Sequence, residues 1–193
     1  MLPDMAEARK NLRALLAEAL SQIKDPGEGL PDAAFEFARR LVPMINVDLL
    51  VRNEAGEHLL AWREDEYDAG WHVPGGIIRF NEPIEKRIAR VATSELGCEV
   101  RYNGFPAEIK EFFTRRGHFI SLMFLCRLAD ESAIPPRLVS EQGRAKHGDL
   151  AWHRGVPPNL YRVHSVYGDW LNGRTIRGDH ENLDRHSDPR RRR

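Results

Sequence analysis

The stretch GIIRFNEPIEKRIARVATSELGC, Gly76–Cys98, preceded by Trp71-His72-Val73-Pro74-Gly75, decides how this chain is read. Ile84, Ile88, Ala92 and Leu96 recur at helical spacing, so Glu82-Pro83 starts a helix and Gly97 ends it, with that stripe lying on a sheet. Gly75 and Gly76 allow main chain to approach a ligand closely just before the helix. Residues three or four apart on a helix share a face. That spacing puts Val91, Ser94 and Glu95 together, with one carboxylate among them.

Outward from this stretch the period alternates between helix and strand. Leu12, Leu15, Leu16, Leu20 and Ile23 predict an amphipathic helix from Met5, stopped by Asp25-Pro26-Gly27, that packs on the domain or on a partner. A second helix from Pro31-Asp32 carries Phe35, Ala38 and Leu41 and ends before Pro43. Strands are predicted at Ile45–Val51, His58–Trp62, Val73–Ile78, Phe112–Phe113, His118–Arg127 and Leu150–His153, and a closing helix at Tyr161–Leu171. The result is an α/β layered domain at residues 30–172, with an N-terminal helical extension at 1–29. The polar, basic tail at 173–193 is expected to be disordered, because nothing periodic remains there.

Composition excludes several functions. The chain has 193 residues, 41% of them hydrophobic, with 29 basic and 29 acidic side chains, so no bulk field favours nucleic acid or a membrane surface. Two cysteines form neither a disulfide framework nor a zinc pattern, and both read as small buried hydrophobes. No apolar run has the length of a membrane span and the N-terminus is charged, so the expected location is the cytoplasm.

The pattern Gly76, Glu82, Arg90, Glu95, Gly97 resembles the Nudix box, with Val91 and Ser94 where that box has two further glutamates. The resemblance implies an α/β/α sandwich with a mixed sheet and the box helix packed on it. It also implies a metal-dependent hydrolase of a nucleoside diphosphate derivative. Such chemistry needs a divalent cation on phosphate oxygens. Glu95 and the Gly75 carbonyl are then its candidate ligands, with magnesium the implied ion and manganese the alternative. Glu82 and Arg90 fit a structural ion pair, and Glu82 alone fits a charge favoured by the helix dipole.

The missing carboxylates resemble the GDP-mannose mannosyl hydrolase branch, which holds one magnesium and breaks the bond at the anomeric carbon of the sugar. The likeness runs from Leu30 to Leu171. It implies that Asp48 contacts the nucleotide, that Arg63 and Arg90 assist the departing diphosphate, and that His147 is the general base. The branch also implies a homodimer and a nucleoside diphosphate sugar as substrate. Three positions depart from it. Lys146 replaces a ligating Gln, leaving Glu141 or Gln142 to supply that oxygen; Ile77 replaces an Arg, for which Arg79 is the substitute; and Phe119 replaces a Tyr. Two alternatives remain: a pyrophosphohydrolase cutting between phosphates, and a non-catalytic nucleotide-binding module.

Overall fold

The computed structural model describes residues 5–132, 135–139 and 145–174. One mixed sheet of eight strands organises them. The strands are β1 (Met44–Arg52), β2 (His58–Glu64), β3 (Ala69–His72), β4 (Gly75–Ile77), β5 (Val100–Tyr102), β6 (Glu108–Thr114), β7 (Gly117–Leu128) and β8 (Leu150–His153). β1 and β7 run parallel from Met44↔Phe119 to Val51↔Cys126 at the centre of the sheet, and the other pairings are antiparallel.

Alternation along β1 sets the layers. Val47, Leu49 and Val51 face one way, into a core with Ile88, Val91 and Leu96 of the box helix. Leu50 faces the other way, into a second core with Met123, Tyr167, Trp170 and Leu171. Helices cover both faces, which is the expected α/β/α sandwich. The helices are α1 (Met5–Ser21), α2 (Asp32–Leu41), α3 (Ile84–Val91) and α4 (Gly168–Leu171).

Several local expectations change. Ile84, placed on the buried stripe, is 38% exposed, whereas Val91 and the charged Arg87 are buried. Arg87, Ile88 and Val91, spaced as one face of a regular helix, are the residues of α3 that are buried; a π turn over Ala92–Leu96 follows before Gly97 closes it in the left-handed region at φ 67°. Its wider i→i+5 spacing breaks the three-and-four rule from which a shared face for Val91, Ser94 and Glu95 was argued. Val91 is turned into the core, Ser94 is exposed and Glu95 is half-buried. The closing helix is a 3-10 segment, Arg162–Tyr167, followed by α4. The short edge strand β5 has too few residues to show a period. On α1, Leu12, Leu15, Leu16 and Leu20 are all exposed, so the packing on the domain expected of that helix is not made. Among the described residues no helix is long and apolar enough to cross a membrane.

Candidate active site

β1 changes partner along its length: Val51 and Arg52 pair with β2, while Asn46, Val47 and Asp48 pair with β4. A cleft opens where β2 and β4 diverge, lined by Asn46, Asp48, Arg63, His72, Gly75 and His164 among others. The register also turns the main-chain polar groups of Gly75 outward. Ile78 N–H donates to Ile45 O at 2.8 Å and Leu49 N–H to Pro74 O at 2.8 Å, which fixes the hydrogen-bonded pairs of this antiparallel ladder. Gly75 opposite Asp48 is therefore a non-hydrogen-bonded pair. Its N–H and C=O point away from β1, on the side where β4 has no second strand. Only glycine fits there, because a Cβ would lie 1.9 Å from Asp48 Oδ1 and 2.8 Å from the Val47 carbonyl oxygen.

Asp48 is the buried anchor of the cleft floor, 4% exposed. Its Oδ2 accepts from Asn46 Nδ2 at 2.7 Å and from the hydroxyls of Ser121 and Tyr167. Burial pushes its pKa up to about 6, partly offset by those two hydroxyls, and the charge of Glu95 adds to the rise. Asn46 keeps its Oδ1 buried and, among the described residues, without a partner.

A polar cluster borders the cleft near Arg63. Arg63 Nε donates to Asp65 Oδ2 at 2.7 Å, Arg116 Nη1 lies 3.7 Å from the same oxygen, and Tyr161 OH donates to Asp65 at 2.9 Å. Burial would raise the Asp65 pKa, but the Tyr67 N–H, the Tyr161 hydroxyl and Arg63 outweigh it and hold the value at about 2. Arg63 and Arg116 thus present two cations against one fixed carboxylate, in a cleft that Thr114 and Phe112 also line.

Two histidines complete the opposite wall. His164 Nδ1 accepts the Val73 N–H at 3.1 Å, and burial holds its pKa well below the ordinary imidazole value, with the charges of His72 and Arg63 adding to the effect. The neutral ring therefore carries its hydrogen on Nε2 as a donor. His72 Nδ1 lies 2.7 Å from the Ala61 carbonyl oxygen, and its Nε2 lies 3.1 Å from Glu95 Oε2.

The site residues expected from sequence divide into three groups. Asp48, Arg63 and Gly75 line the cleft together, and Glu95 adjoins it through His72. Arg79 and Arg90 are not brought to it. Arg90 pairs with Glu28 at 2.9 Å and Glu82 at 3.1 Å, and Arg79 reaches Glu28 at 3.5 Å. With Arg87 at 2.6 Å from Glu82, they clamp the box loop to residues 26–28. Burial would raise the Glu82 pKa, but the Arg79 N–H and the cations of Arg87 and Arg90 lower it on balance. His147 is exposed and outside the cleft lining, with Nδ1 accepting the Glu64 N–H at 3.3 Å. Gln142 and Glu141 lie outside the described residues.

Sequence reasoning missed His72, Asp65, Arg116, Tyr161 and His164 as site residues. Position marks His72, at the end of β3 just before the box. The others come from distant segments that only the fold joins.

The residues fit a divalent cation: a half-buried carboxylate at Glu95 and an outward carbonyl at Gly75, with the other box carboxylate, Glu82, taken up by Arg87 and Arg90. Among the described residues, no three His, Cys, Asp or Glu side chains converge as a ready cage. The remaining ligands would be substrate oxygens and water.

Comparisons with known proteins agree with this fold. The family model described as NUDIX domain matches residues 42–154. The low-salt glycan biosynthesis protein Agl8 of Haloferax volcanii is 31% identical over 125 residues, 61% of this chain and 80% of that protein. The crystal structure of MutT NUDIX hydrolase from Burkholderia pseudomallei has a TM-score of 0.50 at 19% identity, covering 66% of this chain and 97% of its own. That last likeness concerns the fold alone.

Proposed function

The chain belongs to the NUDIX domain family, and on that premise we propose that it hydrolyses a nucleoside diphosphate sugar of the GDP-mannose kind to free sugar and nucleoside diphosphate. The observation that carries this reading is the fate of the box carboxylates. Val91 is 3% exposed in the core, and a Cβ on Gly76 would lie 3.1 Å from its methyl carbon, so that position is unavailable to a cation. Of positions 91, 94 and 95, where the full box carries carboxylates, only Glu95 keeps one, and with the outward Gly75 carbonyl it offers oxygen donors for one hard cation such as Mg2+. When bound, that cation neutralises diphosphate oxygens and makes nucleoside diphosphate a better leaving group.

In this reading Arg63 and Arg116 take the remaining phosphate charge, and His164 Nε2–H donates to a substrate oxygen in the cleft. His147 is the proposed base. Its loop is tied to the box by Arg137, whose Nη2 donates to the carbonyls of Ser94 at 3.1 Å and Glu95 at 2.7 Å. A Cβ on the neighbouring Gly148 would lie 2.2 Å from Arg137 Nη1, so the guanidinium passes directly against this loop. Release of the 3.3 Å contact to Glu64 frees the imidazole for a water, since catalytic hydrogen bonds often tighten only with substrate present. Residues 30–172 carry all of this machinery, with 1–29 as a helical extension and 173–193 as a tail. The exposed leucines of α1 support a second copy as the partner of that extension, and the assembly proposed is a homodimer.

The glycan-biosynthesis name of the Haloferax protein supports a sugar-linked substrate. A panel of nucleoside diphosphate sugars with Mg2+, followed by phosphorus NMR, tests the assignment. Nucleoside diphosphate with free sugar supports it. Sugar phosphate with nucleoside monophosphate would assign the chain to cutting between phosphates, and binding without turnover would make it a nucleotide-binding module.

A further inference from the structure

We propose that Asp65 is a positioning residue of the cleft, a single carboxylate that holds Arg63 and Arg116 next to each other so that one diphosphate meets both cations. The inference rests on the diphosphate chemistry proposed above and adds to it the residue that builds the anion site.

The two arginines come from separate parts of the chain, Arg63 from the end of β2 and Arg116 from the turn between β6 and β7. Two guanidinium groups repel at short range, and each is carried on a side chain with several free rotors. Asp65 opposes their separation directly. Its Oδ2 accepts from Arg63 Nε at 2.7 Å and pairs with Arg116 Nη1 at 3.7 Å. It also ties down the ring on which each cation lies. Arg63 sits over Tyr161, 5.3 Å from guanidinium carbon to ring centroid, and the Tyr161 hydroxyl donates to Asp65 at 2.9 Å. Arg116 sits over Tyr67 at 4.9 Å, and the Tyr67 N–H donates to Asp65 Oδ1 at 3.0 Å. The Asp68 N–H, at 3.2 Å from the same oxygen, closes the loop around the carboxylate. Each arginine is thus held twice from one residue.

What remains unused suits an anion. Among the described residues Arg63 engages the protein's polar groups through Nε alone and Arg116 through Nη1 alone, so the other N–H groups of both are available. Both side chains line the cleft, together with Gly75 and His164. Planar guanidinium groups match phosphate oxygens two at a time, and donors already aimed lose little rotamer freedom when a ligand arrives. The charge of Asp65 itself opposes an anionic ligand, so its contribution to binding comes from geometry.

Geometry and charge therefore predict opposite signs for one substitution. Asp65→Asn removes a negative charge, which alone would tighten anion binding. It also sets an amide N–H2 against either Arg63 Nε–H or the Tyr67 and Asp68 N–H groups, which breaks the clamp. The test is titration calorimetry of inorganic diphosphate, without metal, on the full chain, with circular dichroism of each variant. Binding should weaken about tenfold in Asp65→Asn. In an Arg116→Ala background the same change should cost less, because one of the two cations that Asp65 places is gone. Unchanged or tighter binding in Asp65→Asn, or an equal loss in both backgrounds, overturns the inference and leaves the hydrolase reading standing. If Asp65→Asn does not fold, ¹⁵N NMR of the arginine side chains in wild type decides. Arg63 Nε–H should stay hydrogen-bonded as diphosphate binds, and its release on binding overturns the inference. A wild type that binds no diphosphate overturns both this inference and the phosphate role proposed for the two arginines.

Discussion

Asp48 allows the account of the cleft floor to be tested in numbers. Burial raises its pKa to about 6 in the folded protein, against 3.8 for a free side chain. Between those values the native state binds more protons than the unfolded chain. The stability this carboxyl contributes is therefore complete below about pH 4 and is lost as pH rises through about 6. A gap of about two pH units, at roughly 1.4 kcal/mol each, amounts to about 3 kcal/mol. Asp48→Asn keeps the shape and cannot ionise. Buried imidazoles act with the opposite sign: burial, with the charge of Arg52, pushes His58 down to about 4, and His164 is held low as well. Both destabilise the fold as pH falls below their free value of 6.5. They are common to wild type and variant, so the difference between the two isolates Asp48. Metal-free urea unfolding, followed by tryptophan fluorescence, should show the variant gaining about 2–3 kcal/mol on wild type between pH 4 and pH 7.5. A difference that stays flat across that range refutes the assignment of Asp48 as a desolvated carboxyl behind Gly75.

Other residues give further outcomes. Glu95→Gln should remove most metal-dependent turnover with an unchanged circular dichroism spectrum, and near-normal turnover would end the single-metal model. For His147→Ala we expect a large fall in kcat with KM little changed, as for a group acting in the transition state; an unchanged rate would place the base elsewhere. Glu82 is 2% exposed and faces Arg87, itself 10% exposed, at 2.6 Å. Glu82→Gln leaves that cation buried without its partner and should cost about 3–5 kcal/mol in denaturant unfolding. A loss under about 1 kcal/mol would mean that water reaches the clamp.

The layered fold was legible because the evidence for it is periodic. Ile88 and Leu96 recur at the helical interval, and Val47, Leu49 and Val51 alternate as a strand does, so each names its own buried face. The π turn after Val91 was not legible, because it changes the interval without changing residue type, and from Ala92 onward the three-and-four rule no longer places residues on the helix face. Gly75 followed from its place before the box, and Asp48 and Arg63 from the resemblance to the family. Arg116 and His164 did not, since nothing local distinguishes them from surface residues; a hairpin turn and a 3-10 segment deliver them across the sheet. Arg79 and Arg90 looked like phosphate ligands because their acidic partner Glu28 lies in a loop far along the chain.

The central claim is that the chain breaks a carbon–oxygen bond of a nucleoside diphosphate sugar. Turnover in ¹⁸O-water with mass spectrometry of the nucleotide product tests it most directly, since the free sugar exchanges its anomeric oxygen with solvent. The account predicts nucleoside diphosphate free of ¹⁸O. Label in the phosphate of a nucleotide product would contradict it.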